Sequence, residues 1–454
     1  MDSKVKDASD GLTVYQVGGF VRDSLLGLQP HDRDYVVVGS TADEMKSRGF
    51  SNVGHDFPVF LHPFTKDEYA LARTERKTSP GYNGFTVHAD PSVTLEEDLS
   101  RRDLTINAMA LSVDGQLIDP FNGRADLDSS VLRHISSAFS EDPLRVLRVA
   151  RFAARLGFTV APETMNLMKS IVDSGEIDTL TPERVLLETN KALSEDKPSR
   201  FFEVLRDCGA LKCVLPELDA LFGVPQPKVH HPEIDTGVHT MMVVDQSARM
   251  GADVSTRFSS AMHDLGKSQT SKDLLPKHHG HEKASVPLIN NVCDRLKVSS
   301  ATRKLALSVG QFHTHAHRAF ELTPKSLVKL FKNLDAIRQP YHFECFLKAC
   351  EADARGRQGL ENQDYPQADF LRKMRSIVAD VSVKDLALSG IKGAAIGEAL
   401  HKRRIEVLKG VILSDKQNNI DNIDVDVAQY KVHTRLIGDS IIPNNERKNT
   451  ISQS

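Results

Sequence analysis

The feature that most constrains this chain is a pair of adjacent glycines closely followed by two aspartates: GGFVRD at 18–23 and DRDYVVVG at 32–39. Gly18 and Gly19 end a predicted strand and open a helix. Residues without side chains there let backbone N–H groups approach a polyanion, which the helix N-terminus also favours. Arg22 stands one turn into that helix, placed to reach a phosphate oxygen. Asp32 and Asp34 lie two apart at the start of the apolar strand YVVV, so both side chains project from one face. Two carboxylates on one rigid face suit a two-metal phosphoryl-transfer site, whose ions sit roughly 3.5–4 Å apart. Glu68, in the strand-like EYALAR, is a candidate third carboxylate.

Around this motif the first 140 residues alternate strand-like runs (VYQVGG, DYVVVG, VFLHPF, EYALAR, LIDPF) with helical ones (FVRDSLLG, ADEMKSRG). The pattern predicts an α+β head with a mixed, partly antiparallel sheet. From Glu141 onward helical patterns follow one another. A Pro- and His-rich stretch, VPQPKVHHPEIDTG, marks a boundary near 222–237. The predicted organisation is a head at 1–140, an all-α neck at 141–225, a histidine-bearing helical domain at 226–330 and a helical tail at 331–412. The polar, Asn/Asp-rich end at 413–454 is expected to be loosely ordered.

Two further constellations carry charge. In LSRRDLTINAMAL, Arg101, Arg102 and Asp103 are expected to open a helix, with Asn107 one turn beyond Asp103 on the same face. In SEDPLRVLRVARFAARLGF, Pro143 fits the first helical position and Asp142 the N-cap. Arg145, Arg148, Arg151 and Arg155 then line one face, opposite Val146, Val149, Ala150 and Ala153. Four arginines on one stripe repel one another unless an anion lies along it: a nucleotide, or an RNA backbone. The alternative is a solvated basic stripe. This local basic surface matters because the whole chain has a formal net charge of −3, which taken globally argues against binding nucleic acid.

Composition narrows the rest. With 454 residues, two to four domains are expected. The polar start MDSKVKDASDG carries no secretion signal and no apolar run approaches 18 residues, so a cytoplasmic protein without membrane spans is expected. Five cysteines without a CxxC pair read as reduced packing residues.

GGxVRD, DRDxVVVG, RRDxxxN, DPxNG and EDPLR, in this order, resemble the bacterial class II CCA-adding tRNA nucleotidyltransferases. That family lies within the DNA polymerase β-like nucleotidyltransferase superfamily. The intervening HDFPVFLHP, EYALARTERK, TPERVLLET and HPEIDTGVHT resemble the subgroup in which an HD domain follows. The likeness spans about residues 14–410. It implies that Asp32 and Asp34 hold Mg²⁺, that Gly19 and Arg22 bind the triphosphate, and that Arg102 and Asn107 bind the nucleotide's sugar and phosphates. Glu141, Asp142 and Arg145 match the family's EDxxR motif. There Asp and Arg read the Watson–Crick edge of CTP or ATP in place of a template, while Arg148 and Arg151 hold phosphates. The chemistry fits. A carboxylate accepts from the amino group that cytosine and adenine share, and GTP and UTP present a carbonyl instead. One carboxylate can hardly both cap a helix and read a base at full strength, and base reading is the preferred role for Asp142.

The resemblance also gives meaning to His239, His263–Asp264, His279, His281 and His313, which fall within 75 residues. An HD dipeptide closing an apolar helix, with His and Asp from other helices, forms the metal cage of HD phosphohydrolases. Such ligands suit Ni²⁺, Mn²⁺, Co²⁺ or Mg²⁺. The expected ligands are His239, His263, Asp264 and a later Asp, with Asp353 preferred and Asp335 the rival. His281 and His313 are placed in the same cleft; His230, His231, His315 and His317 are expected on the surface. Lys267 either pairs with a substrate phosphate or is exposed. The resemblance implies 2′,3′-cyclic phosphodiesterase, 2′-nucleotidase and phosphatase activity beside CCA addition. Its partners are tRNA, ATP and CTP, in a monomer or homodimer. The rivals are a poly(A) polymerase, a CC-only adding enzyme and a catalytically silent tRNA-binding protein.

Overall fold

The computed structural model describes residues 8–30, 33–53, 59–77, 85–382 and 395–421. They form two compact units. The first comprises Met1–Ala220 with Asn290–Ser300, and the second Leu221–Ile289 with Ala301–Ser454.

The first unit is built on a seven-stranded sheet. In chain order its strands are β1 (Thr13–Val17), β2 (Asp34–Val38), β3 (Ser51–Asn52), β4 (Val59–Leu61), β5 (Glu68–Leu71), β6 (Ala110–Ser112) and β7 (Leu117–Ile118). Their spatial order is β3-β4-β5-β2-β1-β6-β7. Neighbours are antiparallel except β2 and β5, so the sheet is mixed, as expected. Val14 and Val37 pack with Met45, Phe50, Phe60 and Tyr69 on one face. Val17 and Val36 pack with Leu99, Ala108 and Ala110 on the other. Both faces of β1 and β2 are therefore covered, which explains their nearly continuous apolar sequence.

Helix α1 (Gly19–Leu25) starts directly after β1. The RRD segment does not open a helix. Helix α2 (Leu95–Ser100), with a capping box between Thr94 and Glu97, ends just before it. Arg101–Leu104 then turn into a short 3₁₀ segment, Thr105–Asn107. The acidic first turn Glu96–Asp98 is the true helix start, because it favours the N-terminal dipole and the capping bonds. Helices α3 (Leu144–Leu156) and α4 (Pro182–Leu193) follow in the same unit. In α3 the apolar side Val146, Val149, Ala150 and Ala153 is fully buried.

The second unit is helical in its described residues. Its framework is α5 (Thr236–Arg249), α6 (Val254–Met262), α7 (His281–Arg295, as far as Ile289), α8 (Ser300–His317, from Ala301) and α9 (Pro340–Arg355). Asp235 and Asp253 cap α5 and α6, each accepting the N3 backbone N–H. Helix α9 packs on both α5 and α6, so the stretches before and after residue 330 share one core. The last helix runs Ala395–Asp421, past 412; the rest of the polar end lies outside the described residues. The five cysteines are free thiols. Among the described residues no helix is long and apolar enough to cross a membrane.

Candidate functional site

In the first unit a cavity of about 680 Å³ opens at the junction of β1, α1, β2, α3 and α4. Gly18 lies at φ +69°, and a Cβ there would stand 3.1 Å from Arg102 Nη1 and 3.8 Å from Asp34 Oδ2. Glycine is favoured by this positive φ, and a side chain there would also crowd the Arg102 guanidinium. Asp34 lines the cavity; Asp32 lies outside the described residues. Asp34 pairs in register with Glu68 on the parallel neighbour β5, which puts the two carboxylates on the same face of adjacent strands.

The remaining lining is strongly cationic: Arg22, Arg101, Arg102, Arg145, Arg148, Arg151, Arg155, Arg184 and Lys191, against the carboxylates Asp34, Asp103 and Asp142. The arginine stripe of α3 is only partly exposed, and it is not uncompensated. Arg148 Nε donates to Asp103 Oδ2 at 2.8 Å, Arg151 Nε to Glu188 Oε2 at 2.6 Å, and Arg155 Nη2 to Asp23 Oδ2 at 2.8 Å. Arg145 donates to the carbonyls of Ala138 and Arg101. Arg22 is itself buried, donating to Asp23 and to Asn107 Oδ1 at 2.6 Å. Asn107 in turn donates to Asp103 Oδ1 at 2.9 Å. Asp103 is thus the hub that joins Asn107 to α3. Burial would raise its pKa, but Arg148 and the Asn107 amide outweigh this and hold it at about 2. The network fixes the cationic side chains in place, and the surplus of positive charge suits the cavity to a polyanion.

Asp142 does two jobs here. Its Oδ1 accepts from Leu144 N at 3.1 Å, a local cap, while Arg184 Nη2 reaches both carboxylate oxygens at 3.2 and 2.9 Å. Pro143, rather than Asp142, occupies the N-cap position of α3. Arg184 and Lys191 were not anticipated. Their helix was visible as TPERVLLET, but its meeting with α3 is a long-range contact that spacing cannot reveal.

In the second unit, five elements bring their side chains to one buried cluster. His239 comes from α5, the His263–Asp264 pair from the end of α6, His281 and His313 from α7 and α8, and Asp353 from α9. His239 Nε2 lies 3.0 Å from Asp353 Oδ1, and His263 Nε2 lies 3.6 Å from the same oxygen and 3.0 Å from Asp264 Oδ2. Asp335 instead pairs with Arg338 and Lys304 at the surface. His230, His279 and His315 are exposed. His317 and His231 depart from the surface expectation. His317 Nε2 bonds Asp353 Oδ2 at 2.7 Å, its Nδ1 meeting the Tyr365 hydroxyl, and His231 bonds Glu233, which also approaches His239 Nδ1. Lys267 is buried, with Nζ 2.6 Å from Asp264 Oδ2 and 2.6 Å from Gln226 Oε1, so it serves the aspartate and not open solvent. Burial opposes ionisation of Asp264, yet His263 and Lys267 hold its pKa well below the usual carboxylate range. Burial drives His313 down to about 3, leaving it neutral. Buried His263 Nε2 and Asp264 Oδ1 accept no hydrogen bond from the described residues. Ionised carboxylates beside imidazole nitrogens that accept no hydrogen bond are donors that suit a divalent metal.

Comparison with known proteins places the chain in a family. Residues 14–133 match the poly(A) polymerase head domain, and residues 157–222 a probable RNA- and SrmB-binding site of polymerase A. The multifunctional CCA protein of Thioalkalivibrio sulfidiphilus is 59% identical over 401 residues, which are 88% of this chain and 98% of that protein. That of Pseudomonas fluorescens strain SBW25 is 56% identical, with the same coverage of both. The chain belongs to the multifunctional CCA protein family. Solved structures show the fold. A Thermotoga maritima CCA-adding enzyme complexed with tRNA has TM-score 0.58 at 20% identity, covering 91% of this chain and 96% of its own. A CCA-adding enzyme with CTP has TM-score 0.59 at 21% identity, covering 93% and 96%.

One residue of this CCA-family chain that the sequence reading passed over is Gly266, in HDLGK. A Cβ there would lie 2.1 Å from the carbonyl oxygen of His281 and 2.5 Å from Ser285 N, so α7 can approach the HD turn only if residue 266 has no side chain. Gly266→Ala is expected to destabilise the second unit by about 3 kcal/mol, at the upper end of overpacking costs. Scanning calorimetry measures this; an unfolding temperature unchanged from the parent would refute the close-packing argument.

Proposed function

We propose that this chain adds CMP and AMP to the 3′ end of tRNA without a nucleic-acid template, and that its second unit removes terminal and 2′,3′-cyclic phosphates from damaged ends. The observation that carries the reading is a preassembled cationic cavity lined by the strand-borne carboxylate Asp34, in a chain 59% identical to a multifunctional CCA protein. In this reading the backbone at Gly18 and Gly19, with Arg22, receives the triphosphate of CTP or ATP. Arg102 and Asn107 hold sugar and phosphate, and Arg148 and Arg151 further phosphate oxygens. Asp142 accepts from the base amino group and Arg145 donates to the ring. A carboxylate offers about four lone-pair sites, so Asp142 can keep Arg184 while it does so. Asp32 and Asp34 would hold Mg²⁺, which activates the tRNA hydroxyl and neutralises phosphate charge. His239, His263, Asp264 and Asp353 would hold Ni²⁺ or another divalent transition metal, which supplies a Lewis acid for phosphate-ester hydrolysis. The setting is cytoplasmic, with tRNA as the macromolecular partner.

The direct test supplies tRNA lacking CCA with CTP alone, ATP alone, or both. CTP alone should add two residues, both together should complete CCA, and ATP alone should add almost nothing. A run of A from ATP alone would mark a poly(A) polymerase. Growth that stops at CC with both nucleotides would mark a CC-adding enzyme, and no incorporation would mark a silent binder.

Nucleotide choice tests the base-reading pair. Sites built to hydrogen-bond a substrate discriminate by about 10⁴–10⁵, and opening one such contact returns a large part of that. Asp142→Ala or Arg145→Ala is therefore expected to let UTP or GTP compete, narrowing discrimination at least ~100-fold. Mutants that lose stability but keep strict preference for CTP and ATP would show that Asp142 matters as the cap of α3 alone.

A further inference from the structure

The two carboxylate oxygens of Asp353 have different company. Oδ1 faces the cage, 3.0 Å from His239 Nε2 and 3.6 Å from His263 Nε2. Oδ2 is taken instead by His317 Nε2 at 2.7 Å. The other nitrogen of that ring, Nδ1, lies 3.0 Å from the Tyr365 hydroxyl. Three separate elements supply this chain of bonds. Asp353 stands on α9, His317 ends α8, and Tyr365 immediately precedes the helix Pro366–Ala379. The chemistry of each partner assigns the protons. Burial opposes ionisation of Asp353, but the neighbouring His263 and His317 hold its carboxyl well below the usual carboxylate range. An ionised carboxylate can only accept, so His317 Nε2 carries the hydrogen. In a neutral ring Nδ1 then accepts from the Tyr365 hydroxyl. Both nitrogens are engaged, and His317 keeps no lone pair to give a metal. Asp353 and Tyr365 are buried, so water competes little for either bond.

A carboxylate that can turn about its Cβ–Cγ bond presents either oxygen to an ion, or both. A tether on Oδ2 removes that freedom. We propose that His317, steadied by Tyr365, is a positioning residue that holds Asp353 so that Oδ1 alone is offered to the metal. The proposal rests on the reading of His239, His263, Asp264 and Asp353 as a metal cage, and it adds the residues that set how firmly that cage holds its ion. Outer hydrogen-bond partners of this kind are worth about 10–100-fold in metal affinity. A histidine that only filled space at the end of α8 would be worth nothing there.

The test measures metal affinity on the full chain. Protein stripped with EDTA is titrated with Ni²⁺ against a chelating indicator; any ion held by the first unit is common to every variant. His317→Phe keeps a ring of similar size without a donor, and is expected to weaken Ni²⁺ binding about 10–100-fold. His317→Gln returns an amide N–H near the place of Nε2, and is expected to bind within a few-fold of the parent. Loading with Co²⁺ adds a spectroscopic reading. Its visible bands, which report ligand geometry, should move in His317→Phe and return in His317→Gln. Parental affinity and parental bands in His317→Phe, even with a lowered unfolding temperature, would mean that His317 only packs, and the proposal falls. Should that variant fail to fold by circular dichroism, Tyr365→Phe takes its place. It spares the bond to Asp353 and loosens the ring, so a smaller loss of affinity is expected, and parental affinity again overturns the proposal. His239→Gln separates the two readings. If it binds Ni²⁺ as the parent does, the cage reading fails; if it loses the ion while His317→Phe keeps it, only the positioning role fails.

Discussion

Asp34→Ala is expected to abolish incorporation of both CMP and AMP, by at least about 10³-fold or ~4 kcal/mol of barrier. In phosphoryl transfer the protein contributes positioning and charge neutralisation and little covalent chemistry, so a lost metal ligand removes most of what the site supplies. The location of Asp34 makes the experiment clean. It sits on β2, between β1 and β5, where strand pairing through Val17 and Glu68 uses its backbone and not its carboxylate. The surrounding cavity holds nine cationic side chains, so tRNA and nucleotide affinity should stay within a few-fold of the parent. The same loss is expected for Asp32→Ala. Filter binding of tRNA alongside labelled incorporation separates the two quantities. Residual activity within about tenfold, or ~1.4 kcal/mol, is too small a loss for a metal ligand and would remove Asp34 from that role.

Much of this arrangement can be read from local sequence, and the part that cannot has a definite physical origin. A strand pattern carries its own period, so β1, β2 and β5 follow from VYQVGG, DYVVV and EYAL, whereas the register that sets Asp34 beside Glu68 is a contact between strands distant in sequence. The mixed sheet and the helical remainder follow in the same way. The spacing of Arg145, Arg148, Arg151 and Arg155 puts them on one stripe of α3, but it cannot say what neutralises them. The partners Asp103, Glu188 and Asp23 lie 45, 37 and 132 residues away in sequence. Only the tertiary fold delivers them. The RRD segment misled because charge, as well as helix propensity, marks a helix start; the acidic turn Glu96–Asp98 held that position instead. Asp353 and Asp335 could be ranked but not separated by sequence. Helix α9 turns Asp353 inward onto His239, whereas Asp335 takes a left-handed turn conformation at φ +52° and pairs with Arg338. His317 looked like one more surface histidine because its value lies in a contact with Asp353 and Tyr365 that no local pattern encodes.

The two activities are expected to be separable by single substitutions. His263→Ala or Asp264→Ala should eliminate hydrolysis of 2′,3′-cyclic phosphates while CCA addition to undamaged tRNA continues near the parental rate. The donors of the second unit stand on helices with their own core, and none of them lines the cavity of the first unit. Losing a residue that merely orients a metal ligand already costs about 10–100-fold in affinity or activity, so loss of a direct ligand should cost more. His263 is buried with its Nδ1 2.7 Å from the Ser260 carbonyl oxygen, so the Ala variant also leaves a void at the end of α6. His263→Gln controls for that, since it fills more of the space and should be equally inactive in hydrolysis. EDTA should stop both reactions. Ni²⁺ or Co²⁺ should then restore hydrolysis better than Mg²⁺, because imidazole ligands favour the later transition metals over a hard ion that prefers oxygen. The readout is phosphate release and nucleotide incorporation measured on one preparation. If both vanish together in a variant whose unfolding temperature is unchanged, the histidines belong to the polymerising site and the two-centre reading fails.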